Sequence, residues 1–223
     1  MASLYDLLGF VSPLLLLPKR LLQDLCRKKC CWDDPVDEGT EASWNCWQND
    51  NRQLGSIEIS RCIKPFDFDP HHSSLHFFSD ASEIRYGAVA YALLVASSGS
   101  IRCNFLFGKS RVCPLKPISI PRLELQAAVL SVKLMHHIRR ELKMNVANTY
   151  VWTDSTVLHC IFNTNSRFKT FMANRIGFIA RILKLGNGDM YRRTLTRPRR
   201  HPGVSEENLA KFFRLGFLDP PFY

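Results

Sequence analysis

Between Leu75 and Leu142 the hydrophobic period changes once, and that change limits the fold more than any other feature of the chain. Leu75–Phe78, Gly87–Val95 and Ile101–Phe107 are rich in aromatic and β-branched residues at period two, the pattern of half-buried strands. Ser97-Ser98-Gly99-Ser100 supplies the turn between the second and third. From Pro121 to about Leu142 the period is helical. Leu123, Ala127, Leu130, Leu134 and Ile138 mark one face, which Val132 and Met135 widen. Pro121 suits a first helical turn, and Arg139, Arg140 and Lys143 favour the C-terminal end. Tyr150–Thr153 then reads as a strand and Ser155–Phe162 as a helix. Strands joined by short turns make an antiparallel meander. A strand that follows a long helix returns parallel to the first. The prediction is an α/β chain with a mixed sheet and flanking helices.

Three carboxylates fall at points this arrangement would gather. Asp80 follows the first strand, in Phe78-Ser79-Asp80-Ala81-Ser82. Asp154 follows the fourth, in Trp152-Thr153-Asp154-Ser155. Glu124 lies in the first turn of the long helix, in Ile120-Pro121-Arg122-Leu123-Glu124-Leu125. If the first and fourth strands are parallel neighbours, Asp80 and Asp154 meet at one sheet edge, and the helix brings Glu124 across it. Carboxylates about 4 Å apart repel by roughly 4 kcal/mol at an effective dielectric near 20. Such a cluster persists when protonated or when it holds a cation. Oxygen donors without thiol or imidazole select a hard ion, Mg²⁺ or Mn²⁺. Two ions about 3.5–4 Å apart support in-line displacement at a phosphodiester.

These motifs resemble the ribonuclease H fold, and more narrowly the polyprotein of BEL/Pao-type retrotransposons, in which a ribonuclease H domain follows the reverse transcriptase. Ser119-Ile120-Pro121-Arg122-Leu123-Glu124-Leu125-Gln126-Ala127-Ala128 is the most specific stretch. Leu4-Tyr5-Asp6-Leu7-Leu8-Gly9-Phe10-Val11-Ser12-Pro13 and Trp32-Asp33-Asp34-Pro35 resemble the family's sequence after the polymerase palm. The resemblance implies a ribonuclease H-like, five-stranded mixed sheet preceded by a small helical segment. It implies cleavage of the RNA strand of RNA–DNA hybrids, with Asp80 bridging two ions, Glu124 helping to hold the first and Asp154 the second. Ser82, Arg122 and Ser155, beside the acids, are candidate substrate contacts. The order Asp, Glu, Asp is that of ribonuclease H; integrases of the same fold place Asp, Asp, then Glu. Residues 1–62 are then the tail of a reverse transcriptase, 63–74 a linker, 75–185 the ribonuclease H-like domain and 186–223 a degenerate or poorly ordered end. The reverse transcriptase module of the same polyprotein is the implied partner. No polymerase aspartates occur here, so the chain itself does not copy nucleic acid.

The tail departs from the family. Its fourth acid lies in an Asn-Pro-Ala-Asp segment. The nearest match here is Asn208-Leu209-Ala210-Lys211, so Lys211 stands where the aspartate belongs. A lysine can offset a cation's charge but cannot coordinate it. The alternative to a nuclease is therefore a retroelement remnant that binds nucleic acid without cutting it.

Charge sets the class of partner. The formal net charge is +10. Residues 1–60 carry six Lys/Arg against nine Asp/Glu, residues 61–180 fifteen against seven and residues 181–223 nine against four. The positive field thus belongs to the part with the three acids, which suits a polyanionic substrate. The eight cysteines form no Cys-x-x-Cys pair and read as reduced, mostly buried thiols of an intracellular protein, cytoplasmic or nuclear. The apolar run Leu7–Pro18 is too short to span a bilayer and has Asp6 where a secretory signal would be basic, so it reads as a segment buried against something, with no membrane partner. Leu14, Leu17, Leu21, Leu22 and Leu25 recur at helical spacing, and a second short helix carries Trp44 and Trp47 as core residues. Asp67–Ser74, with His71 and His72, reads as a polar connector.

Overall fold

The computed structural model describes residues 6–56, 58–59, 62–64, 67–142, 146, 148–153, 161, 167–184 and 195–196. Strands β1 (Phe68–Ala81), β2 (Arg85–Ala96) and β3 (Ile101–Val112) form the expected antiparallel meander. Gly99, at φ +82°, closes the β2–β3 turn, where its amide donates to the Ala96 carbonyl at 2.8 Å. Helix α3 (Ile120–Glu141) crosses back, and β4 (Asn148–Trp152) pairs with β1 in parallel, Phe78 opposite Trp152. A two-residue strand, β5 (Leu195–Thr196), pairs in parallel with β4 and completes the order β3-β2-β1-β4-β5. The sheet is thus four full strands and a rudimentary fifth.

Alternation decides which face is covered. Leu75 and Phe77 of β1, Ala88, Ala90, Ala92 and Leu94 of β2 and Val151 of β4 share one core with Leu125, Ala128, Val132 and Met135 of α3. The three alanines on β2 are short enough to let α3 lie close to the sheet. A further helix, α4 (Thr170–Lys184), packs beside α3 and adds Ile179 and Leu183 to that core. The opposite face carries Phe78, Val89 and Trp152, with Tyr91, Phe105 and Tyr150 packed around them.

Three expectations need correction. Residues 68–74 are not a connector but the first half of β1. The pairing shifts between Asp69, opposite Val95, and Ser74, opposite Leu93. Pro70 has no amide to give the ladder, and the Ser73 hydroxyl takes over, accepting from the Val95 amide at 3.0 Å and donating to the Asp69 carbonyl at 2.6 Å. His71 and His72 sit exposed in that bulge, and His72 Nδ1 lies 2.7 Å from Asp69. α4 was missed, although Met172, Ile176, Ile179 and Leu183 keep helical spacing. The thiols are mostly exposed: Cys26, Cys30, Cys31, Cys46, Cys62 and Cys103 face solvent, and Cys113 is buried. The helix expected over Ser155–Phe162 lies outside the described residues except for Ile161.

The N-terminal part docks on the free edge of β3. Asp6 caps a turn by accepting from the amides of Gly9 and Val11. The Leu8 carbonyl then accepts from the Gly108 amide at 2.8 Å. Ser110 donates from its amide to Ser12 Oγ and from its hydroxyl to the Ser12 carbonyl. Helix α1 (Leu16–Lys28) follows, and Gln23 Nε2 donates to the Cys113 carbonyl at 2.6 Å. Helix α2 (Glu38–Gln53), capped by Asp37, places Trp47 in the core of this unit, where its indole donates to the Leu14 carbonyl. Trp44 packs against Trp47 in a tilted pair with ring centroids 4.8 Å apart, so Trp47 is the core residue expected, while Trp44 is only half-buried. Asp37 also accepts from Lys28 Nζ at 2.8 Å, which holds its carboxyl down at about 2.

The tightest point of this dock is Gly9. It has φ +82°, and a Cβ there would overlap the Gly108 carbonyl. Gly9→Ala is expected to destabilise the protein by about 1–3 kcal/mol, read by urea unfolding, through left-handed strain and loss of the close approach. An unchanged midpoint would mean that the segment does not hold this position.

Candidate active site at the carboxylate edge of the sheet

The site is built on the parallel pairing of β1 and β4. That pairing runs from Ser74/Asn148 to Phe78/Trp152, so both strands leave the sheet at the same edge. Asp80 is the penultimate residue of β1, opposite Gly87 of β2, and is partly exposed. Two residues beyond Trp152 in sequence comes Asp154. Alternation puts Asp80 on the face of His76 and Phe78, away from the one under α3. Ser79, facing α3, donates its hydroxyl to the Trp152 carbonyl at 3.2 Å and ties the two strand ends together.

Glu124 is the fifth residue of α3, so it lies just past the first turn. Its neighbours Leu123 and Leu125 are both 1% exposed and fix that turn against the sheet. Leu123 packs with Tyr86, Cys113 and Ala127 beside Ala81, the residue after Asp80. Glu124 itself is partly buried, with Oε2 shielded from solvent. The structure therefore ends β1, which carries Asp80, and β4, which leads toward Asp154, at one edge, and packs Leu123, the neighbour of Glu124, beside Ala81, the neighbour of Asp80. Asp154, Ser155 and Lys211 lie outside the described residues. Among the described residues no three His, Cys, Asp or Glu side chains form a metal-binding group.

Two of the candidate substrate contacts can be located. Ser82 closes the β1–β2 turn. Its amide donates to the Arg85 carbonyl at 2.7 Å, and its hydroxyl accepts from the amides of Ile84 and Arg85. The buried Cys113 thiol, its pKa pushed up by burial, donates to the Ser82 carbonyl at 3.4 Å. This hydroxyl shapes the turn beside Asp80. Arg122 stands over the ring of Phe171, 5.3 Å from its centroid. Arg175 stacks on the same ring at 3.4 Å. Sequence reading singled out Arg122 but not Phe171 or Arg175. The signal was their four-residue spacing on a helix that had gone unrecognised.

Under the strand ends lies a polar contact inside an aromatic layer. The Trp152 indole donates to His76 Nδ1 at 3.1 Å. An indole N–H only donates, so Nδ1 is the acceptor and Nε2 carries the proton. Nε2 then donates to Ser74 Oγ, 2.9 Å away. Phe78 stacks on Trp152 at 5.8 Å, and His76 on Tyr150 at 5.1 Å. Burial in this layer pushes the Tyr91 hydroxyl up to about 12. A separate cleft of about 360 Å³, between the N-terminal segment and β3, is lined by Asp6, Lys19, Trp47, Lys109 and neighbours, and by none of the three acids.

The sequence model of one family, the Pao retrotransposon-like RNaseH-like domain, matches residues 1–155. The chain belongs to this family. The match covers the N-terminal helices, strands β1 to β4 and α3, and ends just past Asp154. Looser likenesses are found among solved structures. RNase H1 of the archaeon Halobacterium salinarum NRC-1 is 10% identical over 60% of this chain and 90% of that chain, with a TM-score of 0.33. The compost-derived LC11-RNase H1, solved with an RNA/DNA hybrid, is 11% identical over 56% and 82%, at 0.33. The prototype foamy virus protease–reverse transcriptase is 14% identical over 80% of this chain and 27% of that chain, at 0.37. These superpositions are too loose to carry weight, and the assignment rests on the family match. No curated protein matches. Among the described residues no helix is long and apolar enough to cross a membrane.

The Trp152–His76 contact anchors the strand end that leads to Asp154. Trp152→Phe removes the indole donor while keeping a ring. It is expected to cost about 1–3 kcal/mol by leaving His76 Nδ1 without that hydrogen bond. Thermal unfolding of the variant beside His76→Ala in a double-mutant cycle reads the coupling; additive effects would dismiss it.

Proposed function

We propose that this chain is the ribonuclease H-like nuclease of a retroelement polyprotein and hydrolyses the RNA strand of RNA–DNA hybrids. The observation that supports the reading is the β1–β4 parallel pair, which ends the strand carrying Asp80 and the strand leading toward Asp154 at one edge, while Leu123, beside Glu124 on α3, packs against Ala81. The family match supports the same class. In this reading residues 75–185 are the nuclease and residues 1–62 belong to the reverse transcriptase it accompanies. The setting is intracellular, cytoplasmic or nuclear.

Oxygen donors alone, one of them with a shielded oxygen, fit a hard divalent cation. Asp80, Glu124 and Asp154 would hold Mg²⁺ or Mn²⁺. Bound there, the ions supply a water of lowered pKa and charge stabilisation at the leaving 3′ oxygen. The chain's own residues do the positioning. Asp80, at the end of the central strand, orients the scissile phosphate. Glu124 is held by Leu123 and Leu125 so that its carboxylate needs little reorganisation. Ser82, Arg122 and Ser155 border the path of the bound strand. Discrimination for RNA comes from contacts to the 2′-hydroxyl across a shallow minor groove. Lys211, where the family has an acid, leaves the ligand set short by one carboxylate and lowers activity.

The test uses a labelled RNA–DNA hybrid in Mg²⁺. The native chain is expected to cut the RNA strand weakly, and chelation by EDTA to stop it. Asp80→Asn and Glu124→Gln should each lower the rate on the order of a hundredfold or more. Lys211→Asp should raise it. Cleavage only in Lys211→Asp would identify a nuclease that has lost a ligand and now binds without cutting. Cleavage that survives Asp80→Asn would overturn the site.

A further inference from the structure

We propose that Arg122 and Arg175, gathered around the ring of Phe171, form an anchor for a backbone phosphate of an RNA–DNA duplex beside the carboxylate edge. The inference rests on the preceding reading only for the identity of the polyanion.

The guanidinium carbon of Arg175 lies 3.4 Å from the ring centroid and that of Arg122 5.3 Å from it, so the two charges are within about 9 Å of each other. Arg175 is also tied down by donation from Nη1 to the Phe171 carbonyl at 3.0 Å. Partial burial draws its pKa below the usual arginine value. Yet among the described residues neither arginine is within ion-pair distance of a carboxylate. Neither α3 nor α4 has an acidic residue in its first turn, which carries Arg122 on α3 and Phe171 on α4. Two repelling cations, held by a ring and without a countercharge among the described residues, make a preorganised seat for an anion.

Chemistry and location narrow the anion. Guanidinium forks match phosphate oxygens two at a time. The cluster is at the catalytic end of the sheet. Arg122 is two residues before Glu124. Leu123, next to Arg122, packs with Tyr86, and Tyr86 pairs with Ala81, next to Asp80. Arg167 and Lys169, both exposed, lead into α4 and extend the positive path. A second grouping further along the same helix pair, Lys133 and Arg181 around Phe178, is looser, at 5.2 and 5.7 Å. It provides an internal comparison away from the acids.

The experiment is a salt series with the full chain. Binding of a fluorescently labelled RNA–DNA hybrid is followed by anisotropy in EDTA, where nothing is cut, at increasing KCl. Neutralising one phosphate contact lowers the slope of log K against log salt by about 0.7–0.9. Arg122→Gln/Arg175→Gln should lower the slope by about 1. Arg122→Lys/Arg175→Lys should keep the slope, and Lys133→Gln/Arg181→Gln should leave it unchanged. If the double glutamine variant melts below the assay temperature, Arg122→Gln alone, which leaves the Arg175 stack in place, reads the same slope. An unchanged slope in the glutamine variants overturns the anchor, as does an equal fall in Lys133→Gln/Arg181→Gln, which would mean a diffuse basic surface. Failure of the native chain to bind the hybrid also overturns it. A chain that binds through these arginines but never cuts keeps the anchor and removes the nuclease reading. One that cuts with an unchanged slope does the reverse.

Discussion

Everything at the carboxylate edge depends on the parallel pairing of β1 with β4. Parallel strands joined through a long helix have high sequence separation, here about seventy residues between Phe78 and Trp152. That pairing is the step that brings distant acids to one place. Its register is tightly specified because both faces of β4 are occupied. Val151 enters the core under α3, and Trp152 enters the aromatic layer opposite. A slip of one residue would exchange them and drive an indole into the space made for a valine. The Trp152–His76 hydrogen bond and the Ser79 hydroxyl on the Trp152 carbonyl pin the same end. Rigidity is thus concentrated where the strands deliver Asp80 and lead on to Asp154.

The other end of the sheet presents a different problem. β3 is an outer strand with unused backbone groups, the kind of edge that recruits other chains. The segment from Asp6 to Leu15 covers part of it, through the Gly108 amide, the Ser12–Ser110 pair and the close approach of Gly9. α1 then continues along the edge to Cys113. A span that reads in sequence as the trailing piece of a polymerase therefore serves the sheet as an edge cover, and the family match includes both the span and β3.

Charge is distributed to match. Asp80 lies near the end of the central strand, and on α3 and α4 the cations Arg122, Arg175, Lys133 and Arg181 stand over the rings of Phe171 and Phe178. Ion pairs among the described residues sit mostly in the acidic N-terminal part, at Arg20–Asp24, Arg27–Asp24 and Lys28–Asp37.

Local patterns in the sequence determined the meander, the span of α3, the parallel return of β4 and the placing of Asp80 and Glu124, because period, turn chemistry and helix-start signals act over a few residues. The same local reading took 68–74 for a connector. Pro70 and the two histidines look like loop chemistry, and only pairing with β2, repaired by the Ser73 hydroxyl, makes that stretch a strand. It also passed over α4, whose apolar face acquires meaning only from the α3 surface it covers. The exposure of the thiols and the gathering of Arg122, Phe171 and Arg175 were likewise decided in three dimensions. Burial and charge clustering depend on which surfaces meet, and side chains about fifty residues apart come together only after the sheet has placed the helices that carry them.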